Sequence, residues 1–135
     1  MQSGKIEKVK DFLVPKLDPV FLMLFGSQAK GTEHSESDID LAFYCENKSP
    51  SAYETFMLGQ ELAAVLNMDV DLVNIREATT VFQAQIFYSS RVIYTKDDVQ
   101  RARVQMTVMS MYARLNEERQ VVLDKIRERG SIYDK

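Results

Sequence analysis

The order of apolar and polar positions along the chain predicts alternating helices and strands. In residues 5–16 apolar side chains recur at helical spacing with lysines between them, which predicts an amphipathic helix brought to an end by Pro15 and Pro19. Residues 20–25 are apolar at every position, which is typical of a strand buried on both faces. The first elements are therefore a helix and a buried strand that it covers.

The middle of the chain continues this alternation. Strands are predicted at residues 38–44, 68–75 and 91–95, and helices at residues 52–66 and 77–88. Ser49 or Ser51 would cap the first of these helices and Asn67 would stop it, while Thr79 or Thr80 would cap the second. In the helix at 52–66 we take Phe56 as one of the apolar positions. The predicted fold class is α/β, with a mixed, mostly four-stranded sheet and flanking helices, most of them on one face.

The tail, residues 97–135, predicts one long helix that belongs to the same domain as residues 1–96. Pro and Gly are absent from it until Gly130, and at ~1.5 Å per residue it would approach ~48 Å. Its apolar positions form a narrow stripe with charged flanks: Val104, Val108, Met111, Leu115, Val122 and Ile126. We expect the helix to outrun the sheet beyond Leu115 and to dock a partner; the alternative is a helix folded back along the core.

Composition limits the function classes. A chain of 135 residues with 45% hydrophobic residues can form one domain with a sizeable core. Its net charge of -3 gives no basic surface of the kind that nucleic-acid binding requires. Cys45 is the only cysteine, so an internal disulfide is impossible and a cytoplasmic location is the default. We expect neither a signal peptide nor a membrane anchor.

The most unusual stretch joins the first two strands. It begins with Gly26 and Ser27, and after ten further residues it ends with Asp38 and Asp40 at the entry to the next strand. Two aspartates at alternate strand positions face the same way and repel each other, a conflict that a divalent cation such as Mg²⁺ relieves. Gly26 allows close approach of a ligand to the backbone, and Ser27 offers a hydroxyl and an amide. The stretch predicts a site for a metal ion and a phosphate.

A third carboxylate is available in the strand at residues 68–75. Asp69 and Asp71 lie on one face of that strand, and either could join the first pair. Asp69 lies nearer the end of the strand, which favours a position at the rim.

This stretch resembles the signature of the polymerase-beta-like nucleotidyltransferases: Gly26-Ser27, ten residues and then Asp38-Ile39-Asp40. The fuller motif, Gly-Ser-x-Ala-Lys-Gly followed by Ser37-Asp38-Ile39-Asp40, resembles their minimal nucleotidyltransferase (MNT) branch. The resemblance implies ATP as substrate and two Mg²⁺ ions, held by Asp38, Asp40 and Asp71. It ranks Asp71 above Asp69, because the third acid of the family follows apolar residues within such a strand. Gly26 and Ser27 would grip the β- and γ-phosphates. Lys30 would either contact the triphosphate or remain a solvated surface lysine. The reaction would be an in-line attack on the α-phosphate, with Asp71 as metal ligand or also as base.

Stand-alone MNT proteins resemble the antitoxin half of HEPN/MNT toxin–antitoxin pairs. That resemblance implies transfer of AMP from ATP to a tyrosine of a HEPN ribonuclease toxin, which silences it. A chain of this length leaves no room for a domain that binds a small acceptor, which also favours a protein acceptor. Two alternatives stay open: a non-catalytic antitoxin that masks its partner by binding, and a nucleotidyltransferase that acts on a small molecule.

Overall fold

Helices and strands alternate along the part of the chain that the structure, a computed structural model, describes: residues 3–26 and 38–133, with side chains as far as residue 129. The helices are α1 (Ser3–Leu17), α2 (Ala52–Leu66), α3 (Thr80–Ser89) and α4 (Asp98–Tyr133). The strands are β1 (Phe21–Phe25), β2 (Ile39–Tyr44), β3 (Val70–Asn74) and β4 (Arg91–Thr95), and a short 3-10 turn at Ile75–Glu77 follows β3.

The strands form one mixed sheet in the order β3-β2-β1-β4. β1 runs antiparallel to β2 and β4, whereas β2 and β3 are parallel. The helix α2 makes the crossover that a parallel pair requires. The predicted α/β class and mixed four-stranded sheet are confirmed. β3 and β4 are the two edges of this sheet.

The helices cover both faces of the sheet, so the prediction that most lie on one face was wrong. α1 and α2 pack on the face that carries Leu22 and Leu24. α3 and α4 pack on the opposite face, against Phe21 and Met23. Because β1 is apolar on both sides, each side requires its own cover.

The ends of α1 and α2 follow local rules. Pro15 lies inside α1 rather than ending it, since near the last turn a proline removes only one hydrogen bond. The helix ends at Leu17, where Asp18 turns back with a φ of 45°. For α2, Ser51 is the N-cap, in a capping box with Glu54, and Asn67 ends the helix in the left-handed conformation. The prediction of Ser51 as a possible cap, and of Asn67 as the stop, is confirmed.

The helix α4 divides into a packed half and an exposed half. Val108 is buried in the core, and Val104, Met109 and Tyr112 pack beside it. Met111, which the predicted stripe included, is 50% exposed. Every residue from 116 to 129 is exposed, so the helix outruns the sheet as predicted and does not fold back. None of the helices in the described ranges is long and apolar enough to span a membrane.

Candidate active site

Three aspartates share one end of the sheet. Asp40 on β2 pairs directly with Asp71 on the parallel neighbour β3, at a strand spacing of about 4.8 Å. Asp38 precedes Asp40 by two residues and therefore lies on the same face. Asp69 lies just before β3, where its carbonyl oxygen accepts a hydrogen bond of 2.9 Å from the amide of Ile39. The pairing thus brings Asp71 beside Asp40, whereas Asp69 precedes the paired residues and joins the ladder only through its carbonyl oxygen.

The environment of Asp40 disfavours its negative charge. Partial burial raises the pKa of the Asp40 carboxyl, and the charges of Asp71 and Asp38 raise it further. Asp69, which precedes the paired residues of β3, is not among these causes. A carboxylate that is partly desolvated beside two others lacks a compensating positive charge. A cation bound at this end of the sheet would supply that positive charge.

Gly26 closes the site on its other side. It follows β1 with a φ of 70°, a conformation that glycine adopts without strain. A Cβ atom at this position would lie 2.7 Å from Oδ2 of Asp40, closer than atoms of side chains approach in proteins. Phe25, the residue before it, pairs with Asp40 across the sheet. Both the backbone conformation and the contact with Asp40 therefore require glycine.

Two of the predicted nucleotide-binding residues, Ser27 and Lys30, lie outside the described residues. Of the predicted set, the structure brings Gly26, Asp38, Asp40 and Asp71 to one end of the sheet.

The carboxylates suit a hard divalent cation by chemistry. Within residues 3–26 and 38–133, no three acidic, histidine or cysteine side chains already form a cage for a metal ion. The backbone, however, places Asp38 two residues before Asp40 and pairs Asp40 with Asp71, and carboxylate oxygens are the ligands that Mg²⁺ prefers. This donor set fits Mg²⁺ by ligand type, although its side chains as they stand do not form a metal cage.

A groove next to this site contains aromatic residues that the sequence analysis did not recognise. Phe56, expected among the apolar positions of its helix, is 61% exposed, and Phe82 on α3 is 37% exposed. The helical spacing contained a signal for Phe56, because it lies off the row formed by Leu58, Leu62 and Leu66. That row faces the core, so an apolar residue beside it points elsewhere.

Comparison with known proteins identifies the family of the chain. Residues 7–99 match the family described as polymerase beta, nucleotidyltransferase. The chain is 35% identical over 127 residues to the protein adenylyltransferase MntA of Shewanella oneidensis, covering 93% of this chain and 88% of that protein.

Solved structures extend the likeness to the fold. A chain in the crystal structure of a toxin–antitoxin complex with AMP-PNP matches with a TM-score of 0.79 and 30% identity, over 90% of this chain and 98% of that one. A structure of the tri-AMPylated Shewanella oneidensis HEPN toxin in complex with MNT antitoxin also matches. The TM-score is 0.77 and the identity 28%, over 94% of this chain and 99% of that one. The resemblance read from the sequence is confirmed: the chain belongs to the polymerase beta nucleotidyltransferase family, together with the protein adenylyltransferase MntA.

Proposed function

We propose that this protein is an antitoxin that transfers AMP from ATP to a tyrosine hydroxyl of a HEPN ribonuclease toxin and thereby neutralises it. The observation that carries the proposal is the position of Asp40, between Gly26 on one side and Asp71 on the other. MntA, a relative over nearly the whole chain, is named a protein adenylyltransferase, and one matching complex holds a tri-AMPylated HEPN toxin.

The nucleotide would bind on the β1 side of Asp40. Gly26 lets the Asp40 carboxylate lie close to the backbone because it has no side chain, and its positive φ turns the backbone sharply after β1. Ser27 and Lys30 follow it in sequence, and we assign them to the β- and γ-phosphates. The AMP-PNP in a related complex supports ATP as the nucleotide.

Asp38, Asp40 and Asp71 would hold Mg²⁺, two ions in the full site, which would neutralise the triphosphate and make the acceptor hydroxyl more acidic. In the reaction the acceptor oxygen forms a bond to the α-phosphorus. The bond from the α-phosphorus to the oxygen that bridges to the β-phosphate breaks, and pyrophosphate leaves with that electron pair. The hydroxyl proton passes to solvent or to Asp71, the carboxylate on the acceptor side.

The exposed half of α4 would contribute to binding the toxin. The helix is about 54 Å long at ~1.5 Å per residue, and its outer half leaves large apolar side chains in solvent. Val122 and Ile126 are 56% and 58% exposed and lie one helical turn apart. An apolar row of this kind on a charged helix is typical of a docking surface.

Co-expression with a HEPN partner, followed by intact mass spectrometry, tests the proposal. We expect the partner to gain roughly 329 Da per AMP residue and the Asp38→Asn variant to leave its mass unchanged. The variant should keep its circular dichroism spectrum, because Asp38 is exposed. An Asp38→Asn variant that still transfers AMP would overturn the proposed mechanism.

Steric masking without catalysis is the second candidate, and the exposed apolar row of α4 is the observation that favours it. A partner that binds but keeps its mass in co-expression would support it. Addition of Mg²⁺ and ATP also distinguishes the two candidates, since ligand binding raises Tm by mass action only if the nucleotide site is intact.

Transfer to a small molecule, a weaker alternative, would appear in substrate screens without a partner. We expect the protein to act in the cytoplasm, where ATP is supplied.

A further inference from the structure

A groove of about 710 Å³ runs along β3, the edge strand nearest the carboxylates. All residues of the strand, Val70–Asn74, line it. One wall is α2 and the other is formed by the 3-10 turn and the start of α3. The edge of β3 thus forms the floor of the groove, and helical segments form its two walls. This shape suits an extended chain.

The floor presents backbone groups that β2 does not use. The amide of Ile39 donates to the carbonyl oxygen of Asp69, and in a parallel ladder the groups facing a given neighbour come from alternate residues. Asp71 and Val73 therefore face β2, while Val70 and Leu72 direct their amide and carbonyl groups into the groove. Edge groups that no other strand of the described residues uses can accept an added strand.

Gly59 lets α2 pack close to this edge. It is buried, and a Cβ atom there would lie 3.4 Å from Cβ of Leu72, 3.8 Å from the carbonyl oxygen of Val70 and 4.0 Å from the amide nitrogen of Leu72. The helix thus passes close to the outward-facing groups, and a side chain larger than alanine at position 59 would occupy the space above them.

Aromatic rings stand on both walls. Phe56 on α2 is 61% exposed, and Phe82 on α3 is 37% exposed and meets Phe25 edge-on, with ring centroids 6.1 Å apart. Large apolar side chains left in solvent within a groove mark an interaction site, and aromatic residues contribute most to such sites. The charged residues of the lining, Asp71 and Glu77, are acidic, which disfavours a nucleic acid as occupant.

The groove lies on the acceptor side of the candidate active site. Across the sheet, Gly26 flanks Asp40 from β1, and Asp71 flanks Asp40 from β3. Asp71 belongs to both the carboxylate cluster and the lining of the groove. A nucleotide at Gly26 and an occupant of the groove would therefore reach Asp40 from opposite sides, as a donor and an acceptor must.

We propose that this groove binds an extended segment of the acceptor protein, which adds to β3 as a further strand and presents its hydroxyl-bearing residue to Asp71. The inference rests on the proposed function and deepens it, since it names the surface that selects the acceptor. Rings of Phe56 and Phe82 anchor side chains of that segment, and the outward groups of Leu72 pair with its backbone.

Steady-state AMP transfer to the co-purified HEPN protein tests the groove. Phe56→Ala removes an anchor, and Gln60→Trp fills the groove from an exposed position on the same wall. We expect each to raise KM for the protein acceptor about tenfold while KM for ATP stays within about twofold. The matched controls are Tyr53→Ala and Glu61→Trp, exposed positions of α2 outside the lining, which should leave both constants unchanged.

Hydrogen exchange adds a second readout. The Leu72 amide should gain protection when the HEPN protein is added to the Asp38→Asn variant, which removes catalysis without touching the groove. Unchanged acceptor KM in both groove variants, with an active wild type, would overturn the groove assignment alone. A wild-type protein that never modifies the partner would overturn the proposed function and, with it, the role of the groove.

Discussion

The two ends of strand β2 follow opposite physical rules. At its far end Phe43 is fully buried, and Tyr44 stacks on Phe21 with ring centroids 5.4 Å apart. At its start Asp38 and Asp40 lie beside Asp71, three like charges on one face of adjacent strands. Burial and aromatic contact stabilise the far end of β2. Repulsion and desolvation of the carboxylates destabilise its start.

This difference explains how the fold can hold three carboxylates at one end of the sheet. Repelling carboxylates on paired strands weaken the pairing. Here β2 is held in register by a buried far end and by neighbours on both sides. The apolar end thus stabilises a geometry at the charged end that the carboxylates themselves oppose, and local conflicts of this kind mark functional sites.

Neutralising Asp71 should have the largest effect, and it should be on catalysis. We expect Asp71→Asn to lower the rate of AMP transfer by about 100- to 1000-fold, because it removes one of the carboxylates assigned to Mg²⁺. Asp69→Asn is the matched control, since it removes an exposed carboxylate two residues earlier and should stay active. If Asp69→Asn were the inactive variant, our ranking of the two residues would be reversed.

Truncating Phe43 tests the opposite end of the strand. Phe43→Ala should lower the free energy of unfolding by roughly 3–5 kcal/mol, since the side chain is fully buried and its removal leaves a cavity. Urea unfolding measures this change, and Phe43→Leu should cost less because it leaves a smaller cavity. The fraction of Phe43→Ala that remains folded should transfer AMP normally. A loss of less than about 1 kcal/mol would mean that the far end does not anchor the strand.

Substitution of Gly26 should affect both stability and nucleotide binding. Gly26→Ala forces a side chain into a positive φ and against Asp40, so we expect a loss of about 1–3 kcal/mol and weaker ATP binding. Gly4→Ala is the control: a Cβ there meets nothing within 4 Å, and alanine favours the helix α1. Thermal unfolding and ATP titration should separate the two variants. If Gly26→Ala and Gly4→Ala had the same Tm and the same affinity for ATP, Gly26 would have no special role in stability or nucleotide binding.

The order of elements was predictable because each has a local cause. Burial of β1 on both faces appears as an unbroken apolar run, and the start of α2 appears as Ser51 with Glu54 three residues later. The carboxylates were predictable for the same reason, since Asp38 and Asp40 break the strand pattern at its first residues. The pairing of Asp71 with Asp40 places it beside the first two carboxylates, and its preference over Asp69 as a site residue stays a prediction.

Features that depend on tertiary packing were not predictable. The division of helices between the two faces depends on crossover geometry, which periodicity within one helix does not report. The groove along β3 likewise requires knowing that β3 is an edge strand. Phe56 is an exception, because its position off the row of Leu58, Leu62 and Leu66 already indicated that it faces away from the core.

The smallest expected effect concerns the stability of the metal-free protein. Because the pKa of Asp40 is raised on folding, the native state binds more protons than the unfolded state while this group titrates, so its ionisation lowers stability as pH rises. In EDTA we therefore expect Asp40→Asn to have a slightly higher Tm than the wild type at neutral pH. The difference should shrink as the pH falls and Asp40 becomes protonated in the wild type. Mg²⁺ with ATP should reverse the order, because only the wild type keeps the full set of carboxylates that binds them. A wild type that is more stable than Asp40→Asn in EDTA at neutral pH would mean that Asp40 gains a partner on folding, and that the charged end of β2 is not under repulsion.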